Sequence, residues 1–232
     1  MDFILTYLWQ LLLIFFIIAS ASMYIMHKQS TKFYYLRGSV VLHFSIFDLE
    51  FPGENETIKN ILKGIDALSI KPGCDNCKEK SKKSKTALKN NLLSDFIFMA
   101  GVYPFITVLC IATAYKMSHY GRYIFLGFAV LQLIAWLFDI LENLYLLRKM
   151  KNPEALSQLH RFYKNMVIAK WVFSVTGFIC SIFGLLYFWL RGDYGPAFEY
   201  FVLTAYFIFL LVFVIQIGLG FTKNKSKLQA NV

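Results

Sequence analysis

Four stretches, residues 3–27, 96–115, 171–190 and 200–222, contain no Asp, Glu, Lys or Arg, and a fifth, from Tyr123 to about Leu147, contains only Asp139 and Glu142. A helix needs about 20 predominantly apolar residues to cross a hydrocarbon layer of about 30 Å. The pattern therefore predicts helices at about 3 to 26, 92 to 116, 121 to 148, 165 to 190 and 196 to 222. Only 16% of the 232 residues are charged and 57% are hydrophobic, against about 25% charged in a soluble domain. That composition argues against a soluble globular chain.

The first stretch carries a small-residue site, Ala19-Ser20-Ala21, as a cleaved signal peptide does. It is expected to stay as a helix, because Met1-Asp2 offers no positive n-region and the apolar run exceeds the usual signal core. Charge gives the same answer. The formal net charge is +10, but position matters more than sum. With five spans and the N-terminus outside, residues 28–89, 148–164 and 223–227 lie inside and hold 20 of the 24 Lys and Arg. Lys116, Arg122 and Arg191 fall outside. Such asymmetry follows the positive-inside rule and gives no warrant for a nucleic-acid partner. The expected fold is an all-α membrane protein with five transmembrane helices, N-out and C-in. It divides into an N-terminal helix (1–27), a cytoplasmic basic segment (28–91), a four-helix bundle (92–222) and a tail (223–232).

Within the cytoplasmic segment, Phe44 to Phe51 is aromatic and apolar, with acids at Asp48 and Glu50. After the Pro52-Gly53 turn signal, Ile58, Ile61, Leu62 and Ile65 recur at helical spacing. This short amphipathic helix either packs on the bundle or lies in the membrane interface. The run from Lys71 to Lys89 follows, and its Lys78, Lys80, Lys82, Lys83 and Lys85 are candidates to touch anionic lipid headgroups. A solvated connector that only sets topology is the alternative. Cys74 and Cys77 form a Cys-x-x-Cys unit, half of a structural zinc site with the other ligands missing. A redox pair or incidental cysteines are the other readings, and in the cytoplasm the thiols should be reduced. No cofactor is expected.

Ionisable residues inside a span are costly and normally face the bundle interior. Asp139, Glu142 and Asn143 stand at i, i+3 and i+4, on one helix face, and Gln132 extends that stripe. Lys170, Ser174, Gly177, Ser181 and Gly184 form a seam of one lysine and four small residues on the next helix. A short loop makes the two helices antiparallel neighbours, so the seams are expected to meet. From the rise of about 1.5 Å per residue, Asp139 lies roughly 14 Å from Arg148, with Asp95, Lys170 and Gln216 roughly 9 to 10 Å from Lys89, Lys164 and Lys223. Asp95, Gln132, Asp139, Glu142, Asn143, Lys170 and Gln216 are thus the candidate polar cluster. One reading is a buried ion pair that fixes helix register, with Asp95 merely opening its helix. The other is a surplus of carboxylates that binds an ion, a proton or a polar headgroup.

With these residues in view, the chain resembles a group of small bacterial multi-pass membrane proteins marked by an Asp-x-x-Glu-Asn signature. The likeness rests on Phe47-Asp48-Leu49-Glu50 with the helix after it, Ser94-Asp95-Phe96-Ile97-Phe98, Asp139-Ile140-Leu141-Glu142-Asn143 and Ala169-Lys170-Trp171. It covers about residues 44 to 190; the leading helix and the lysine-rich insertion depart from it. The resemblance implies a bacterial plasma (inner) membrane location and no activity. Three functions stay open. One is a small transporter, channel or transport accessory; another is an assembly subunit, as a homo-oligomer or in a membrane complex. The third is an enzyme acting on lipid headgroups with Asp139 or Glu142 as base. No H-E-x-x-H, G-x-S-x-G or phosphate loop supports the enzyme.

Overall fold

The computed structural model describes residues 6–51, 57–74, 76–152 and 160–193. Four long helices dominate it: α1 (Leu8–Ser30), α4 (Cys77–Lys116), α5 (His119–Lys151) and α6 (His160–Leu190). Between α1 and α4 lie β1 (Tyr34–Arg37), β2 (Val40–His43), α2 (Phe47–Glu50) and α3 (Thr57–Leu68). The four long helices are each long and apolar enough to cross a membrane. Their outward faces are apolar too: Ile124, Val130, Leu133 and Leu137 on α5 and Val172, Val175, Ile179 and Phe183 on α6 are exposed. Water would penalise such a surface and lipid does not. The predicted helix at 196–222, with Gln216 and the tail after it, lies outside the described residues.

The largest departure from expectation is the start of α4, which begins at Cys77 instead of near residue 92. Forty residues make a rod of about 60 Å, twice the thickness of the hydrocarbon layer. Its first turns stand clear of the span. They are helical because Cys77, Ser81, Ser84, Leu88 and Asn91, at spacings of four and three, are buried. The lysines take the opposite face, where Glu79 pairs with Lys83 at 2.6 Å as i,i+4 neighbours do. From Cys77 onward the lysine-rich run is thus a helix held by its buried face, with its lysines exposed.

A two-stranded antiparallel hairpin also sits in what was expected to be an all-helical chain. Tyr34 pairs with His43 and Arg37 with Val40, leaving Gly38-Ser39 as a two-residue turn. Gly38 has φ 61°, the positive angle that such a turn asks of glycine at its first central position. The hairpin, α2 and α3 form a cap on one end of the bundle. Ile58, Ile61, Leu62 and Ile65 of α3 are buried with Phe33, Phe44, Leu88, Tyr145 and Val167, so the amphipathic helix packs onto protein. Each such side chain contributes about 1.5 to 3 kcal/mol by burial.

Specific hydrogen bonds set the cap's register on the bundle. The Ser84 hydroxyl donates to the Lys32 carbonyl at 2.7 Å and accepts from the Tyr34 N–H at 2.9 Å. Ser81 donates to the Ile65 carbonyl at 2.6 Å. Tyr163 of α6 donates to the Leu49 carbonyl at 3.1 Å, which holds α2 over the end of α6.

Candidate functional site

Lys170 is the centre of the site. It lies on the first turns of α6 and is almost wholly buried. Its ammonium donates to Asp139 Oδ1 at 2.9 Å and to Glu142 Oε2 at 2.6 Å, and Glu50 Oε1 stands 4.0 Å away. Asp139 and Glu142 come from one face of α5, as their spacing requires. Glu50 comes from α2, carried into place by the Tyr163–Leu49 bond. Formally three negative charges converge on one positive charge.

The surrounding groups orient these acids. Tyr103 of α4 donates its hydroxyl proton to Asp139 Oδ2 at 2.9 Å. The Trp171 indole N–H donates to Glu50 Oε2 at 3.1 Å, and the Trp171 ring lies 5.6 Å from the Lys170 ammonium, within cation–π range. Asn143 donates to Asp95 Oδ2 at 2.7 Å. Asp95 therefore does more than open a helix, and a fourth acid joins the edge of the cluster. Gln132, one level farther from the cap, is fully buried and donates to the Phe173 carbonyl at 2.9 Å.

The expected meeting of the α5 stripe and the α6 seam occurs at Lys170 and at Gly177, where an added Cβ would strike the Gln132 amide. Beyond that point the seam turns toward α4. Ser181 donates to Cys110 Sγ at 3.0 Å, and a Cβ at Gly184 would strike the Thr113 methyl.

Glu50, Tyr103 and Trp171 were not among the candidates read from the sequence. Glu50 left a trace, one of two acids in an aromatic and apolar segment, but nothing local tied it to a residue 120 positions away. Tyr103 is one aromatic among many in the spans, and only its depth beside Asp139 reveals its part.

The remaining candidates lie elsewhere. Lys78, Lys80, Lys82, Lys83 and Lys85 are exposed on the projecting part of α4. Lys85 pairs with Asp66, and Lys80 lies 5.9 Å from the Tyr34 ring centre. Cys74 and Cys77 are joined in a disulfide, contrary to the expectation of reduced thiols. Their two Cα atoms lie 5.4 Å apart at the start of α4, just after Gly73, whose φ is 70°. Bonded to each other, the sulfurs present no thiolate to zinc. Among the described residues no group of three or more His, Cys, Asp or Glu is arranged to hold a metal ion. At the main cluster the Lys170 ammonium takes the position on which the carboxylates converge.

Burial in the cap pushes the Glu50 carboxyl above its ordinary value of 4.5, against the opposing pull of Lys170 and the Trp171 indole, and the nearby Asp139 charge adds to the rise. The folded protein then holds a proton at Glu50 that the unfolded chain releases near 4.5. The stability linked to that proton is fully present below the unfolded value and is lost as pH rises through the folded one. Glu50→Gln, fixed in the neutral form, should flatten the decline of melting temperature with rising pH above that point. Melting profiles of the wild type and the variant that run parallel across the range would refute this account of Glu50.

Fold and site together define a multi-pass helical membrane protein with a buried charge cluster at the capped end of its bundle. Comparison with protein-family models, curated proteins and solved structures finds no match to this chain.

Proposed function

We propose that this protein is a small membrane transporter, channel or transport accessory whose Glu50, Asp139, Glu142 and Lys170 cluster binds a proton or cation. The observation that carries the reading is the imbalance of charge. A structural ion pair needs one carboxylate for its lysine, yet three lie within 4.0 Å of Lys170 and Asp95 stands close by. Acids this close in a low-dielectric setting do not all stay ionised without a proton or cation to offset them.

In the proposed topology residues 196–222 supply a fifth span and the N-terminus lies outside. The basic cap then faces the cytoplasm of a bacterial cell. Lys89 and Lys85 lie nearest the anionic headgroups, whereas Lys78, 17 residues before Asp95, stands about 26 Å beyond it along the helix. In that compartment the Cys74–Cys77 disulfide is the oxidised form of a dithiol.

The test is ion flux in vesicles containing purified protein. Asp139→Asn and Glu142→Gln are expected to lower flux by about a hundredfold, the scale of removing one proton-transferring side chain, while the helical circular dichroism is retained. Wild-type vesicles no leakier than protein-free ones would overturn the reading in favour of an assembly subunit. The two short bonds from Lys170, which tie α5 to α6, are what that alternative rests on.

A further inference from the structure

Beyond the cluster, the seam between α4, α5 and α6 continues to carry polar groups toward the uncapped end of the bundle. Building on the proposed transport role, we propose that this seam is a proton route, running from Asp139 through Tyr103 and Gln132 to the Cys110–Ser181 pair, and that the proton is the transported species.

The first link is made directly, since Tyr103 shares its hydroxyl proton with Asp139 at 2.9 Å. The second is Gln132. Its Oε1 is buried and has no hydrogen-bond partner among the described residues, while its Nε2 is committed to the Phe173 carbonyl. An acceptor left unsatisfied in such a place costs about 1 to 3 kcal/mol, and a water or hydronium passing along the seam removes that cost. The third link is the Ser181 hydroxyl on Cys110 Sγ at 3.0 Å. Thr113, whose hydroxyl reaches the Ser181 carbonyl at 3.4 Å, lies one turn from the end of α4.

Spacing supports a chain of this kind. Lys170, Ser174, Gly177 and Ser181 follow one another at three or four residues along α6, about 5 to 6 Å per step. One water making two hydrogen bonds of about 2.8 Å spans such a step. The glycine in this series has a function of its own: a side chain at Gly177 would run into the Gln132 amide and close the seam there.

The same residues argue against a metal cation. Past Asp139 the spans hold no acid in 96–115, 120–138 or 171–190, and the seam offers an amide, hydroxyls and a thiol. A hard cation gives up its waters where about six oxygens replace them. A proton needs only a continuous file of donors and acceptors.

The experiment uses the full chain in vesicles that enclose a pH-sensitive dye, with an inward potential set by a potassium gradient and valinomycin. Wild-type protein is expected to acidify the lumen, and Tyr103→Phe and Gln132→Leu to slow acidification by about tenfold or more, the cost of one lost relay bond. Ser22→Ala, off the seam on α1 where Ser22 donates to the Ile18 carbonyl of its own helix, is expected to match the wild type. If Gln132→Leu does not fold, Gln132→Met carries the same comparison. Wild-type rates in both seam variants overturn the route. So does flux carried by sodium or potassium instead of protons; if Asp139→Asn still abolishes it, the cation-binding cluster stands without the route. Absence of any ion flux removes the transport reading and this inference together.

Discussion

Lys170→Met is expected to destabilise the fold by about 3 to 5 kcal/mol, because it leaves buried carboxylates with no cation among them. Asp139 and Glu142 each accept a short bond from this one ammonium, and both side chains are buried. Methionine is chosen because it fills much the same volume, so the loss is one of charge and not of packing. Neutralising the acids in the same protein, as Lys170→Met/Asp139→Asn/Glu142→Gln, should recover most of the loss. Removing both sides of a buried pair is far less harmful than removing one. Thermal unfolding in detergent, followed by tryptophan fluorescence, measures both quantities. A single variant within about 0.5 kcal/mol of the wild type, the ordinary range for a surface change, would mean that Lys170 is not the counter-ion the geometry makes it. A triple variant as unstable as the single would mean that the acids are needed in ionised form for folding.

The residues in that test are ones whose association is legible in the amino-acid sequence alone. Asp139, Glu142 and Asn143 share a face through helical periodicity, and Lys170 follows on an antiparallel neighbour. In a membrane the penalty for a lone charge is large enough to bring the two together. Glu50 is not legible in this way. Its place depends on α2 lying over the end of α6, which depends in turn on Tyr163, Phe33 and Phe44 forming the cap core, a tertiary effect with no local signature. The extension of α4 is hidden for another reason. The buried positions in its first turns include Ser81, Ser84 and Asn91, so the face that packs does not read as hydrophobic and the lysines dominate the pattern. The hairpin does leave a signal, two runs rich in β-branched and aromatic residues around Gly38-Ser39. An expectation of helices throughout a membrane chain passes over it.

These differences share a cause. Inside the bilayer the solvent imposes helices and makes each polar residue conspicuous, so the sequence constrains structure strongly. In the cap, water satisfies polar groups wherever they fall, and the arrangement follows from packing among elements distant in the chain. The cluster lies at the junction of the two regimes. Its lysine and two acids belong to the bundle, and its third acid belongs to the cap.

The second large effect is expected at Gly101 of α4, against which the backbone of α1 packs. A Cβ at that position would stand 2.7 Å from the Ala19 nitrogen and 3.0 Å from the Phe15 carbonyl oxygen. Both are backbone atoms, so no side-chain rotation relieves the contact. Close approach of this kind is how helices gain packing energy in lipid, which offers no hydrophobic drive for association. Gly101→Leu should force α1 off α4 and cost about 1 to 3 kcal/mol or more, as overpacking does elsewhere. The loss should extend to the cap, because Asn91 of α4 reaches back to the Met26 carbonyl of α1 at 3.0 Å. Gly127 of α5 supplies the control: a Cβ there meets nothing within 4 Å, and Gly127→Leu should keep the wild-type melting temperature. Thermal unfolding of the two variants side by side makes the comparison. Equal stability of the two leucine variants would show that α1 does not seat on α4 at Gly101.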